Sequence, residues 1–195
     1  MAQDQEPRQP RAGRERIGRA AYELFSRHGV QKVGVDTVIA HAGTAKMTLY
    51  RNFPSKEDLI LDFLRRREQL WTEDWLRAET GRRAATARER LLAVFDLFGE
   101  WFSRDDFEGC SFLNTLVEID DADSPARRAA VAHLATIRAF LASVAAEAGV
   151  ADSEDFAHQW HLLMKGAIMA ASEGDTHAAA RARELGELLL LRHGV

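Results

Sequence analysis

Proline is nearly absent from the interior of this chain, and this constrains its architecture more than any other feature. Only Pro7, Pro10, Pro54 and Pro125 occur. Between them run long stretches rich in Ala, Leu, Glu and Arg, in which apolar residues recur three and four apart. No segment alternates apolar and polar residues over the length of a strand. A helix excludes proline from its interior and reads as a 3.6-residue period, whereas a half-buried strand reads as period two. The chain is therefore expected to be all-α with about nine helices, over residues 13–28, 35–42, 45–52, 55–79, 82–103, 108–119, 125–148, 153–172 and 176–193. Its 195 residues suffice for one or two domains with a sizeable core.

Composition narrows the class. With 46% apolar and 29% charged residues, the chain is neither collagen-like nor wholly disordered. Cys110 is the single cysteine, so no intrachain disulfide can form, and a reducing, cytoplasmic location is expected. No uninterrupted apolar run approaches the ~20 residues of a membrane span, so no membrane partner is expected. The opening residues lack the apolar core of a secretory signal, and residues 1–12, polar and proline-bearing, are expected to form a disordered arm. The charge is unevenly spread. Residues 1–67 carry 13 Lys and Arg against 8 Asp and Glu, whereas the rest carries 13 against 22. A basic head on an acidic body suits a polyanionic partner, because Lys and Arg neutralise phosphates and release their counterions.

The second and third helices are short and meet at Gly43, just after a basic first helix. Those are the parts of a helix-turn-helix. A helical wheel places Leu49 and Phe53 on one apolar face, which must pack inward. Met47, Arg51 and, at the edge, Thr48 then point outward, flanked by Lys46, Tyr50 and Asn52. Such a face suits a major groove. Arg51 can donate two hydrogen bonds to a guanine edge, and Thr48 and Met47 can meet thymine methyl groups. Lys46 and the Tyr50 hydroxyl suit phosphate oxygens. Lys56, in the first turn of the fourth helix, adds an ammonium to exposed N–H groups and so is expected to form a phosphate-binding corner. Thr37 on the second helix and Thr44 at the start of the third complete the expected DNA-contacting set.

The segment Gly43-Thr44-Ala45-Lys46-Met47-Thr48-Leu49-Tyr50-Arg51-Asn52-Phe53-Pro54-Ser55-Lys56-Glu57-Asp58-Leu59 resembles the DNA-binding signature of the tetracycline-repressor (TetR) family. So does Ala20-Ala21-Tyr22-Glu23-Leu24-Phe25 followed by His28-Gly29. The resemblance covers roughly residues 13–60. It departs from the family's usual residues at Gly34, Ile39, Thr44, Ala45 and Met47. Met47 stands where the family often has glycine and puts a bulky thioether on the groove face, which is expected to change sequence preference.

The resemblance implies a helix-turn-helix domain over residues 13–58, and a ligand-binding and dimerisation domain over 59–195 that pairs through its last two helices. The residues agree. Phe156, Trp160, Leu163, Met164, Ala167, Ile168 and Ala171 form a very wide apolar sector, and Leu185 and Leu188–Leu191 add another, so each helix has apolar surface for its own core and for a partner copy. The implied partners are a double-stranded operator, a largely apolar small-molecule effector and a second copy of the chain. No cofactor is implied. Most of the body's aromatic residues read as core, but Trp101, Phe112, Asn114, His133 and Trp160 are candidates for lining an effector pocket.

Other signals read as structural. His158 and His161 are three apart but lack the further ligands of a metal centre. Cys110 reads as a small buried apolar residue, and Asp120-Asp121-Ala122-Asp123 as an acidic turn without the glycine and terminal glutamate of a calcium loop. No nucleophile elbow, phosphate loop or paired-carboxylate pattern appears, so no enzyme is expected. The expected function is a ligand-released repressor acting on a pseudo-palindromic operator. The alternative is a helical small-molecule-binding or enzymatic module whose head meets a protein partner.

Overall fold

In the computed structural model, which describes residues 8–195 and the side chains of residues 12–195, every described element is helical. The elements are α1 (Arg8–His28), α2 (Val35–Ala42), α3 (Lys46–Asn52), α4 (Lys56–Arg67), a π-helical stretch (Glu68–Arg77), α5 (Ala78–Arg83), α6 (Ala87–Phe102), α7 (Ser111–Glu118), α8 (Pro125–Glu147), α9 (Ser153–Ser172) and α10 (Ala178–Arg192). Helical structure is unbroken from Lys56 to Arg83. Counted as one helix, that stretch leaves nine among the described residues, the expected number.

The breaks follow local chemistry. Gly43 ends α2 in the left-handed region (φ 57°), which a side chain would disfavour. Thr86 opens α6 with a capping box: its hydroxyl accepts from the Glu89 N–H, and the Glu89 carboxylate accepts from the Thr86 N–H, both at 3.2 Å. This cap moves a predicted boundary. Gly81 was expected to break the chain, but the helix runs through it to Arg83, and the next starts at Ala87 rather than residue 82. The expected arm also differs. Residues 8–12 belong to α1, where Pro10 is tolerated in the first turn, and residues 1–7 lie outside the described residues.

The chain divides into two compact units. The first holds residues up to Arg67 together with Ser111–Ala130. Its core is built on Ile17, Phe25, Val38, Leu49, Phe53, Leu59 and Phe63, all nearly inaccessible. The Phe63 ring meets the edges of Tyr22 and Phe25 at 5.7 Å. Glu57, in the first turn of α4, accepts from the Ser124 hydroxyl (2.9 Å) and the Ala126 N–H (3.3 Å), and so caps α8. Arg127 donates in turn to the carbonyls of Leu116 and Ile119 at the end of α7.

The second unit holds Glu68–Cys110 and Val131–Val195. Here α10 packs on α6 and α9. Gly186 makes the close approach possible, since a Cβ there would lie 2.8 Å from the Trp160 ring and 3.0 Å from Phe95. Helix α8 meets the length and mean hydropathy (1.6) of a membrane span, although no uninterrupted apolar run predicted one. The figure belongs to an 18-residue window of the helix, where alanines raise the average despite His133 and Arg138. Residues Ala126, Ala130, Leu134, Ile137, Leu141, Val144 and Ala145, at helical spacing, are buried in the protein.

Candidate nucleic-acid interface

The wheel drawn from the sequence predicts which way α3 faces. Leu49 and Phe53 are fully buried, whereas Met47 is 81% exposed, Tyr50 40%, and Lys46 and Arg51 are also exposed. Burial of Leu49 thus anchors the helix by its apolar face and turns the opposite face to solvent. The Arg51 guanidinium has no hydrogen bond or ion pair among the described residues. Lys46 lies 3.5 Å from Asp36 across two highly exposed side chains, a loose pair worth little in water. Thr37 is exposed, and Thr44 and Thr48 are half-buried.

Two expected contacts are placed otherwise. The Asn52 amide folds back to donate to the Thr48 carbonyl at 2.7 Å, one turn earlier, and its own carbonyl accepts from Arg14 at 2.6 Å. It closes the end of α3 instead of facing outward. The Lys56 ammonium is half-buried and donates to the Gln31 carbonyl at 3.1 Å. Burial pulls its pKa down, against the pull of the Glu118 carboxylate in the other direction. Glu118 also accepts from the Gln31 N–H at 2.7 Å, so Lys56 is held on the loop that follows α1.

Sequence reading missed Arg14. Its guanidinium lies over the Phe53 ring (4.2 Å), reaches Asn52, and is 3.3 Å from Asp62. Asp62 is nearly inaccessible and also receives Arg65 at 2.7 Å and Arg66 at 2.6 Å. Burial pushes the Asp62 carboxyl up, but hydrogen bonds from Arg66 and Arg65 outweigh it and hold the group below its usual range. Arg66 closes the network on Glu15 with two 2.8 Å hydrogen bonds. The network thus ties α1 to α4, beside the end of α3.

The expected pocket residues are shared between the two units. Phe112 is buried and Asn114 exposed, both in the first unit. Asn114 was expected to point inward, but its position on α7 faces solvent. Trp101, His133 and Trp160 belong to the second unit. His133 pairs with Glu68 at 2.7 Å. Trp101 joins a cluster with Trp71, Trp75, Phe98, Phe102 and Phe107, at centroid distances of 4.9–6.1 Å. Trp160 is fully buried, stacked on Phe156 at 5.3 Å. Both the Trp71 and Trp160 indole N–H groups are buried without a hydrogen-bond partner in the protein. Trp71 and Trp75 were absent from the expected set, although their four-residue spacing places them on one face of a helix.

Two family models match this chain: bacterial regulatory proteins of the tetR family over residues 17–63, and the tetracyclin repressor-like C-terminal domain over residues 87–185. The chain belongs to the TetR family. The nine-helix, strand-free arrangement of the described residues is the fold of that family. A TetR-family transcriptional regulator of Streptomyces coelicolor is 25% identical and superimposes with a TM-score of 0.87 over 97% of this chain and 98% of that one. A candidate TetR-type transcriptional regulator of Streptomyces avermitilis is 29% identical, with a TM-score of 0.83 over 94% and 98%. A TetR transcriptional regulator of Chloroflexus aurantiacus, at 22% identity and a TM-score of 0.79 over 96% and 98%, shares the fold. No curated protein matches the sequence. In TetR terms, the first family model covers the helix-turn-helix together with most of α1 and α4, and the second covers α6 to the middle of α10.

Proposed function

We propose that this TetR-family chain is a cytoplasmic, homodimeric, non-enzymatic repressor that leaves its operator when a small molecule binds its second unit. The observation that carries the reading is the orientation of α3, with Leu49 and Phe53 buried and Met47 and Arg51 free in solvent. Arg51 reads a base edge, Met47 and Thr48 supply apolar and hydroxyl contacts, and Lys46 and Tyr50 hold phosphates. Thr37 and Thr44 add hydroxyls at the same surface. Asn52 and Lys56 act indirectly, by fixing the end of α3 and the loop after α1.

A dimer supports the reading because a pseudo-palindromic site requires two recognition helices about 34–36 Å apart. The exposed apolar residues Leu162 and Met169 on α9, and Leu185, Leu188 and Leu191 on α10, lie at helical spacing and offer the self-complementary face that a two-fold pair needs. Effector release then follows if the ligand binds better to a dimer whose heads no longer match that spacing. The buried indole N–H groups of Trp71 and Trp160 favour the second unit as its site. Helix α8 serves as a core helix of the protein.

Selection from a random duplex library, followed by salt titration of the selected sequence, tests the proposal. Affinity falls steeply between low and moderate salt. Arg51→Ala relaxes discrimination at one base position by about 1–3 kcal/mol, whereas Lys56→Ala weakens all sequences alike and only modestly. Salt-insensitive binding, or equal effects of both substitutions on every duplex, overturns the assignment.

A further inference from the structure

Helix α9 carries a buried polar group whose surroundings are unbalanced. His161 is 3% exposed, and its Nδ1 has no hydrogen-bond partner in the protein. His158 precedes it by three residues and Lys165 follows by four, so all three lie along one side of α9. Arg138, from the second half of α8, and Cys110 complete the surroundings. Both Arg138 and Lys165 are half-buried. Neither has a hydrogen bond or ion pair among the described residues, and no carboxylate is among the charges that act on Lys165 or His161. Burial and the Arg138 charge pull the Lys165 ammonium down, with the Cys110 thiol acting the other way. Burial first, then Lys165, Arg138 and His158, push His161 down to about 3, so the imidazole is neutral at physiological pH.

Two partly desolvated cations beside each other, with no counter-charge, are costly. A buried imidazole nitrogen without a partner adds to that cost. Both costs vanish together if an anion sits among the three groups. A planar carboxylate fits them best, because a guanidinium donates to it in a fork, an ammonium adds a third charge-assisted bond, and a neutral imidazole protonated at Nδ1 supplies a fourth donor. Apolar residues of α9 on either side, Ala157, Trp160, Met164 and Ile168, are buried and suit an apolar remainder.

We infer that the second unit holds a site for a small organic carboxylate, bound by Arg138 and Lys165 with His161 as a neutral donor. The inference deepens the effector reading above, turning an apolar guest into an amphiphilic acid.

The test uses the full-length protein and benzoate as the probe, titrated against sodium chloride at equal ionic strength, with tryptophan fluorescence and Tm as readouts. Benzamide and benzylamine are the neutral and cationic comparators. Benzoate is expected to bind saturably and about tenfold or more tighter than either comparator. Arg138→Gln and Lys165→Gln each weaken it by about tenfold, whereas Lys165→Arg retains most of the binding. A second arm needs no ligand. Lys165→Met removes the like-charge contact and is expected to raise the Tm of the free protein by a few degrees, where a purely structural lysine would lower it. Benzoate binding no tighter than benzamide or benzylamine, an unaffected Arg138→Gln protein, or a lowered Tm for Lys165→Met each overturns the site. Benzoate that binds but does not release a selected duplex sinks the effector reading and leaves the site standing. Failure to select any duplex sinks the DNA reading without touching the titration.

Discussion

In the first unit the central buried charge is surrounded by partners, whereas in the second several buried polar groups have none. Asp62 is met by Arg14, Arg65 and Arg66, and Arg66 passes the connection on to Glu15. Across the second unit, Trp71 Nε1, Thr72 Oγ1, Trp160 Nε1 and His161 Nδ1 are all buried without hydrogen bonds in the protein, and the Arg138 charge acts on Lys165 with no carboxylate to offset it there. A saturated network fixes one geometry, because each donor's direction is set by its acceptor. Unsatisfied buried groups cost free energy, and natural proteins keep them mainly where function demands it. The contrast matches a division of labour, with a reading head that must present α3 in one orientation and a body that gains from taking up a guest.

The largest effect should come from breaking the head's network. Asp62→Asn leaves three guanidinium groups without their shared carboxylate and should cost about 3 kcal/mol in chemical denaturation. The loss should be accompanied by faster amide exchange in α1 and α4. A loss below about 1 kcal/mol would mean that the network is a surface decoration, and the contrast between the units would fail at its strong end.

The body should answer to acid instead. His161 is neutral when folded, its pKa depressed to about 3, but in the unfolded chain it takes up a proton near pH 6.5. The unfolded state therefore binds more protons throughout that window, and stability falls as pH drops from about 6.5 toward 3. Between pH 6.5 and 5 this single group should cost about 2 kcal/mol. Denaturation midpoints at the two pH values give the slope, and His161→Gln should remove that share of it. An unchanged slope in the variant would place the acid sensitivity elsewhere.

The head was largely legible in sequence because its information is local. Gly43, the Leu49–Phe53 spacing and Lys46 through Arg51 all act within one or two turns, and a helical wheel reads them directly. Legibility stopped where partners are distant in sequence. Lys56 is taken by the Gln31 carbonyl, 25 residues away, and Arg14 reaches Asn52 across 38. In the body the same limit applies more widely. Trp71 meets Trp101 from another helix, and Arg138 approaches Lys165 from α8, pairings that no spacing rule predicts. The three-residue spacing of His158 and His161 was visible, but spacing alone did not show that His161 is buried. The run through Gly81 was missed because a single glycine weakens a helix by only about 1 kcal/mol, which tertiary packing can outweigh. The Thr86–Glu89 cap, four residues long and local, marked the true start of α6.

The smallest stability effect sharpens the comparison from the other side. Met47 is 81% exposed, on the outward face of α3. A residue kept for folding would not stand in water, so Met47→Ala should change stability by no more than about 0.5 kcal/mol. If this thioether fills space beside a thymine methyl, however, the same substitution must alter the sequences selected from a random duplex library at one position, while the phosphate contacts proposed for Lys46 keep overall affinity similar. The two measurements separate the roles cleanly. A large loss of stability would give Met47 a structural task that its exposure contradicts. An unchanged selection would remove it from the base-reading set and leave Arg51 and Thr48 to account for specificity without it.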